Sequence, residues 1–261
     1  MLPSRVTLLC LPCAGASAAM YLRWRRLLPA WIDLVAVELP GRGARMDELY
    51  IEDIDRLTER LCTEHTPALR GRYALFGHSM GALLAYRMAL RQRALGRDAA
   101  CALFASASAG PSRRDPDRFA GEDDDAALIV DLHAQGGTPQ AVFDSPELLR
   151  LTLDTLRADY RVCDSFRDTR PAPLDVPLHV FAGRNDDIAK ESIEAWRREA
   201  GAEFSLHWFD GGHFFIRRYE HEAVAAIARM LAQSSAATAS PSPVPVDRGH
   251  ATTGGASLPR A

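Results

Sequence analysis

The pentapeptide GHSMG at residues 77–81 matches the G-x-S-x-G pattern, in which a serine on a sharp turn acts as a nucleophile. It follows the apolar run at residues 73–76 and opens a helical pattern, which is the strand–turn–helix context that the motif requires. A helix that begins near Ser79 directs N–H groups and its positive dipole end at the site, which favours a developing oxyanion. The alternative is a serine that only caps the helix. The context favours a nucleophile at Ser79 and a structural role for His78.

A serine nucleophile needs a base, and in sheets that carry this turn an acid and then a histidine follow the serine along the chain. Four histidines lie beyond residue 200, well after Ser79. His207 falls within a strand-like run, His221 within a helical pattern, and His250 within a polar tail. His213, in the segment FDGGHFF, lies in a glycine loop just after the last strand-like run. His213 is therefore the predicted base.

The acid that orients the histidine should follow the preceding strand-like run, PLHVFAG, and the chain continues there with RNDDIA. Asp186 and Asp187 are therefore both candidates to hold the imidazole tautomer and to stabilise the imidazolium. One of the two is expected to be a turn residue. Asp210, three residues before His213, is also interpreted as a turn residue. Asp175 precedes its strand and should lie at the opposite edge of the sheet.

Six short apolar runs punctuate the chain, and they are RVTLLCLP, IDLVAVELPG, RYALFGHSMG, AACALFASASAG, VPLHVFAG and AEFSLHWFDGG. Because these runs lack a clean alternation of apolar and polar residues, they indicate strands that are buried on both faces of a parallel sheet. Helical patterns lie between them, such as YIEDIDRLTERLCTEH with one apolar face. Strands that alternate with helices predict an α/β fold with a mostly parallel, doubly wound sheet.

One long segment, at about residues 111–172, interrupts the alternation. It contains no strand-like run, while DDDAALIVDLHAQ and SPELLRLTLDTLRADYRVCDSF have the pattern of amphipathic helices. An insertion of about 60 residues is too long for a plain loop and predicts a helical lid. We therefore expect one domain over residues 1–233 that carries this lid. Residues 234–261 are rich in Ser, Ala, Pro and Gly and are predicted to form a disordered tail.

The composition excludes several other classes of protein. The 261 residues carry a net charge of −3, without the basic surplus of a nucleic-acid-binding protein. No apolar stretch approaches the ~20 residues that span a bilayer, and we expect no secretory signal. The five cysteines are odd in number and mostly scattered, which indicates a reducing compartment, so we expect a cytoplasmic protein.

Cys10 and Cys13 have the C-x-x-C spacing of a zinc or redox site. A zinc site needs two more ligands, and no second C-x-x-C or suitably spaced Cys/His pair occurs. A thioredoxin-like pair should open a helix, whereas Cys10 still belongs to a strand-like run. The spacing is therefore interpreted as a coincidence, and no metal or cofactor is implied.

With these residues placed, the chain resembles the type II thioesterases, which are α/β-hydrolases that accompany modular polyketide and nonribosomal peptide synthetases. The similarity covers most of residues 5–232. It rests on the segments LPCAGASAAMY, VELPGRGARMDE, GHSMGA, GGTP followed by LRADY, FAGRNDD and GGHFFI. The chain departs from the family at Cys13, where His, Tyr or Phe is usual, at Ala16, where glycine is usual, and at Asp187, where proline is common.

The resemblance implies Ser79 as nucleophile, His213 as base and Asp186 as acid, with the backbone N–H groups of Ala14 and Met80 as oxyanion donors. It implies hydrolysis of acyl groups from the phosphopantetheine arm of carrier proteins through an acyl-serine intermediate, with the lid gating the acyl channel. The partners would be acyl-loaded carrier proteins, and we expect a monomer. Two alternatives stay open: a small-molecule esterase or lipase of the same fold, and a non-catalytic subunit that binds carrier proteins.

Three arginine pairs are candidates for a docking face, because the resemblance brings the expectation of acidic carrier proteins. They are Arg113/Arg114, Arg197/Arg198 and Arg217/Arg218. For each pair, a solvated surface is an equally good interpretation.

Overall fold

The computed structural model describes residues 3–115, 118–119, 124–167 and 170–238, and its centre is one six-stranded sheet in the order β2-β1-β3-β4-β5-β6. Every strand pair in these described ranges is parallel. Each predicted apolar run contains one strand, which confirms the predicted α/β fold. The strands are β1 (Val6–Leu11), β2 (Ile32–Ala36), β3 (Tyr73–His78), β4 (Ala102–Ser106), β5 (Leu178–Gly183) and β6 (Phe204–Phe209).

The central strands are mostly apolar because both faces of the sheet are covered. Successive side chains of a strand point to opposite faces. In β1, Val6, Leu8 and Cys10 belong to one buried cluster. Leu9 and Leu11 belong to the cluster on the other face. A run without alternation is therefore the expected sequence of a strand that lies between two layers.

Helices form those two layers. α1 (Ile54–Glu64) and α2 (Met80–Ala94) pack on one face. The 3-10 helix Ala18–Arg26 and α8 (Glu220–Thr238) pack on the other. α8 continues five residues beyond residue 233, the predicted end of the domain, and the predicted disordered tail from residue 239 onward lies outside the described residues.

Three helices occupy the segment for which the sequence predicts a lid. They are α3 (Asp125–Gln135), α4 (Gln140–Phe143) and α5 (Pro146–Ser165). Their apolar side chains form a small separate core of Leu128, Leu132, Leu153, Leu156 and Tyr160. The insertion thus has packing of its own above the sheet, and its action as a lid stays a prediction.

A single buried carboxylate fastens both ends of this insertion. Glu199 is fully buried, and its Oε1 accepts a hydrogen bond from the N–H of Ser112 at 3.3 Å. Its Oε2 accepts bonds from the N–H of Ala172 at 3.0 Å and from the Tyr86 hydroxyl of α2 at 2.8 Å. The chain therefore enters and leaves the insertion at points that are tied to the body of the domain.

The remaining described elements are short. They are the 3-10 turns Gly43–Arg45, Pro111–Arg113 and Ala195–Glu199, α6 (Lys190–Glu194) and α7 (Phe215–Arg218). Among the described residues, no helix is long and apolar enough to span a membrane. All five cysteines are unpaired, as expected of a chain without a disulfide framework.

Candidate active site

Ser79 lies on a tight turn between β3 and α2. Its φ of 55° and ψ of −117° place a non-glycine residue in a rarely populated region, which is a form of strain that concentrates at functional sites. A Cβ at Gly77 would lie 2.0 Å from the carbonyl oxygen of Gly81, and a Cβ at Gly81 would lie 2.2 Å from that of Leu11. Both glycines are therefore required, because the strand and helix backbones meet directly at the turn.

We expect Gly77→Ala to yield no soluble protein, or to lower the free energy of unfolding by more than about 4 kcal/mol, because backbone atoms cannot move aside for the new methyl group. Gly96→Ala is the matched control, since Gly96 has a φ of +61° and open space around it. It should cost only about 1–2 kcal/mol, the penalty of a left-handed backbone. Urea unfolding followed by circular dichroism measures the free energy of unfolding of both variants. Equal losses of this free energy would contradict the proposed backbone contact at Gly77.

His213 and Asp186 lie in two neighbouring loops and share a hydrogen bond. His213 Nδ1 is 3.0 Å from Asp186 Oδ2 and 3.2 Å from Oδ1. Because an ionised carboxylate only accepts hydrogen bonds, Nδ1 carries the proton and Nε2 is left as an acceptor. The Asp186 side chain is 2% exposed, whereas Asp187 is an exposed residue on the wall of the same cavity.

The sheet explains why these two loops meet. β5 and β6 are adjacent parallel strands, so the loops that follow them leave the same edge of the sheet. The N–H of Asn185 donates to the carbonyl of Gly211 at 3.0 Å and joins the two loops. A Cβ at Gly183 would lie 2.5 Å from the carbonyl oxygen of Gly212, so only glycine permits this close approach.

The predicted site residues converge on one cavity of about 470 Å³, which is lined among others by Ser79, Asp186, His213, Ala14 and Met80. Within the described chain, no hydrogen bond joins Ser79 Oγ to His213. Catalytic hydrogen bonds are often long in enzymes without substrate and shorten when it binds. The hydroxyl, the oriented imidazole and the backbone donors thus line one cavity.

Two backbone N–H groups at this cavity are available to a ligand. Met80 is the first residue of α2, so its N–H has no partner within the helix. Ala14 lies in the loop after β1, and no hydrogen bond occupies its N–H in the part of the chain that the structure describes. The contact of Gly81 with Leu11 holds the end of β1 against the start of α2, and Ala14 and Met80 both line the cavity.

His78, next to the serine, packs in the interior. It is fully buried, and its Nδ1 lies 2.9 Å from Ser106 Oγ. Burial lowers the pKa of His78 well below the usual histidine value, with a smaller contribution from His213. His78 is therefore neutral near pH 7, in line with the structural role expected from the sequence.

The two cysteines of the C-x-x-C spacing lie in different surroundings. Cys10 packs within the cluster on the α8 face of the sheet, while Cys13 lines the cavity beside Ser79. Burial raises the pKa of Cys13 to about 12 and also raises that of Cys10, so both remain thiols at neutral pH. The environment supports the interpretation that the spacing is a coincidence.

Three residues around the cavity were not found by sequence reasoning. Ala107, at the end of β4, lines the cavity with a φ of 48° and shares positive φ only with Ser79 among the described non-glycine residues. Arg42 and Asp159 form a buried ion pair beside the Ala14 loop. Arg42 and Asp159 lie inside two of the segments on which the family resemblance rests, and this was the one signal in the sequence that could have pointed to them.

Comparison with known proteins gives a consistent result. The family model described as "Thioesterase domain" matches residues 6–234. The gramicidin S biosynthesis protein GrsT of Aneurinibacillus migulanus is 30% identical over 233 residues, which cover 87% of this chain and 90% of that protein.

Two solved structures are similar in sequence as well as in fold. The RedJ thioesterase of the prodiginine pathway in Streptomyces coelicolor is 31% identical, with a TM-score of 0.80 over 87% of this chain and 90% of that one. The type II thioesterase BorB of the borrelidin biosynthetic cluster is 34% identical, with a TM-score of 0.79 over 88% and 94%. With the parallel sheet and the GHSMG turn, these matches show that the chain belongs to the thioesterase family, as a type II thioesterase of the α/β-hydrolase fold.

Proposed function

We propose that this thioesterase releases acyl groups from the phosphopantetheine arm of carrier proteins in polyketide or nonribosomal peptide biosynthesis. The observation that carries the proposal is the shared cavity, where the Asp186–His213 pair and Ser79 meet. The relatives GrsT, RedJ and BorB are named for the biosynthesis of gramicidin S, prodiginine and borrelidin, which supports the substrate class.

In the proposed mechanism, Ser79 Oγ attacks the thioester carbonyl while His213 Nε2 takes the hydroxyl proton. Asp186 holds the imidazole and stabilises the imidazolium. The oxyanion of the tetrahedral intermediate accepts hydrogen bonds from the N–H groups of Ala14 and Met80. The carbon–sulfur bond then breaks, and His213 returns its proton to the departing sulfur.

The second half of the reaction repeats these roles with water. His213 removes a proton from a water molecule that attacks the acyl-serine carbonyl, and the same two N–H groups hold the second oxyanion. The ester bond to Ser79 breaks, the serine recovers its proton, and the free acid leaves. We propose that the helical insertion gates this exchange, because its residues Phe119, Gln135 and Tyr160 form part of the cavity wall.

A patch of arginines beside the cavity is the proposed docking site for the carrier protein. Arg113 lines both the active-site cavity and a neighbouring open cleft, where Arg197 and Arg198 bring the cations to three against the two carboxylates of Glu191 and Glu194. Acidic residues of a carrier protein would meet these cations where the pantetheine arm must enter. Arg217 is not part of this patch, because it donates a hydrogen bond to the carbonyl of Gly137.

We expect the same acyl group to be hydrolysed with a higher kcat/KM on a carrier protein than on bare pantetheine or as an oxygen ester. Charge reversal at Arg113, Arg197 and Arg198 should raise KM about tenfold for the carrier-bound substrate. The KM for the bare pantetheine thioester should not change. The exposed pair Arg25/Arg26 lines neither cavity, so its reversal is the matched control.

Each alternative predicts a different result. Faster hydrolysis of the oxygen ester would identify an esterase. Failure of an active-site phosphonate to label Ser79, together with no turnover, would identify a non-catalytic subunit. An unchanged KM after the triple reversal would remove the arginines from the docking site.

We further propose that the protein acts as a monomer in the cytoplasm. The five free cysteines suit a reducing compartment. Light scattering during size-exclusion chromatography tests the first point, with a mass of 28.6 kDa expected for the chain.

A further inference from the structure

A buried ion pair connects the helical insertion to the loop that carries Ala14. Asp159 of α5 is 1% exposed and Arg42, in the loop after β2, is 8% exposed. Arg42 binds the carboxylate with both terminal nitrogens, and Nη2 lies 2.6 Å from Oδ1. Such a two-point guanidinium–carboxylate pair has a defined geometry, because both groups are planar and their two bonds run parallel.

Both members of the pair also hold the backbone of the loop at residues 13–16, which we call the oxyanion loop. The N–H of Gly15 donates to Asp159 Oδ2 at 2.8 Å. Arg42 Nη1 donates to the carbonyl of Ala16 at 3.3 Å. Each side chain of the pair therefore binds one peptide group of the loop, Asp159 the Ala14–Gly15 peptide and Arg42 the Ala16–Ser17 peptide.

The backbone conformation of the oxyanion loop fits these two hydrogen bonds. Gly15 has a φ of +74°, which a side chain would disfavour, and a Cβ there would approach Leu156 of α5 to 3.4 Å. Helix α5 thus packs directly on the oxyanion loop at the residue whose N–H it binds. A shift of Asp159 would be passed to Ala14 through one peptide bond.

We propose that Asp159 and Arg42 are positioning residues for thioester hydrolysis, forming a clamp that holds the Ala14 N–H in place to receive the oxyanion. This inference rests on the proposed role of Ala14. It gives the insertion a part in the chemistry as well as in covering the cavity. The clamp exists only while α5 is seated, so the oxyanion donor is in place only when the insertion is packed on the domain.

The test must separate positioning from stability. Removing one partner leaves a buried charge unpaired, whereas replacing both by apolar residues of similar size is often neutral for stability. The double variant Asp159→Leu/Arg42→Met is therefore expected to remain folded while the oxyanion loop loses both contacts. Ser165→Ala is the control, because Ser165 Oγ anchors the same helix through the N–H of Ile54 at 2.8 Å and does not touch the loop.

With an acyl-pantetheine thioester, the double variant should lose about 10²-fold in kcat, the effect of an oxyanion donor, while KM changes by less than about threefold. Affinity for an alkyl boronic acid should fall in parallel, because its tetrahedral adduct presents an oxygen to the same N–H groups. Ser165→Ala should lower the melting temperature and keep kcat.

A stable double variant with the kcat of the wild type would overturn the proposal. If the double variant does not fold, Arg42→Lys decides, because it keeps the buried charges paired and removes the two-point geometry. A loss of about tenfold in kcat at constant KM is expected, and an unchanged kcat would overturn the clamp. Failure of the proposed function itself is recognised separately, because the wild-type protein would then show no thioester hydrolysis.

Discussion

Replacing Ser79 by alanine is expected to lower kcat for an acyl-pantetheine thioester by about 10⁵-fold or more, since the acyl-serine can no longer form. The fold should be retained. Ser79 Oγ makes no hydrogen bond within the described residues, and alanine adopts the strained turn no less easily than serine. Steady-state kinetics and thermal unfolding of the same preparation measure the two effects.

A second serine of the same cavity serves as the control. Ser108 donates through Oγ to the carbonyl of Ala109 at 3.3 Å and has no contact with His213 or Asp186 among the described residues. Ser108→Ala should keep most of the kcat and should still react with an active-site phosphonate. Turnover near the wild-type rate by the Ser79→Ala protein would refute the proposed nucleophile. Phosphonate labelling of Ser79→Ala would show that another residue is the reactive one.

Asp186→Asn is expected to lower kcat by about 10⁴-fold, because an amide can present its NH₂ group to His213 Nδ1 and so stabilise the wrong imidazole tautomer. The kcat of the Asp187→Asn variant should remain within a few-fold of the wild-type kcat. Asp187 is exposed, and the hydrogen bond to His213 is made by its neighbour. The two variants differ by one position and have the same chemistry, so each controls for the other.

With a good and a poor thiol leaving group, Asp186→Asn should lower kcat for both substrates, since the proposed mechanism uses the histidine in acylation and in deacylation. Circular dichroism checks that both variants are folded. A large loss of kcat for Asp187→Asn with a small loss for Asp186→Asn would assign the acid to Asp187. Equal losses would mean that neither aspartate acts alone.

Local chemistry made much of this protein predictable. Six apolar runs gave six strands, because a strand between two helical layers has to be apolar on both sides. The turn at Ser79 was recognisable because Gly77 and Gly81 are imposed by backbone contacts that no other residue permits. His213 could be singled out among the later histidines because it stands in a glycine loop after the last strand.

The spacing of residues along the chain could not distinguish Asp186 from Asp187 as the partner of His213. Both follow β5 and both have a carboxylate, so only the packing of the β5 and β6 loops determines which one faces His213. The same limit applies to the arginines, where Arg113 meets Arg197 and Arg198 across a cleft that the fold creates.

Arg42 and Asp159 illustrate the limit most clearly. They are 117 residues apart, and neither one stands in a local pattern that indicates a partner. Their contact depends on how α5 is seated over the loops that follow β1 and β2. The sequence by itself determined the strands, the turn that carries Ser79 and the order of the proposed serine, acid and histidine, because each depends on neighbours along the chain. The tertiary structure alone decided which carboxylate orients the histidine and what grips the Ala14 loop, because those depend on side chains that meet only after the sheet and the insertion have packed.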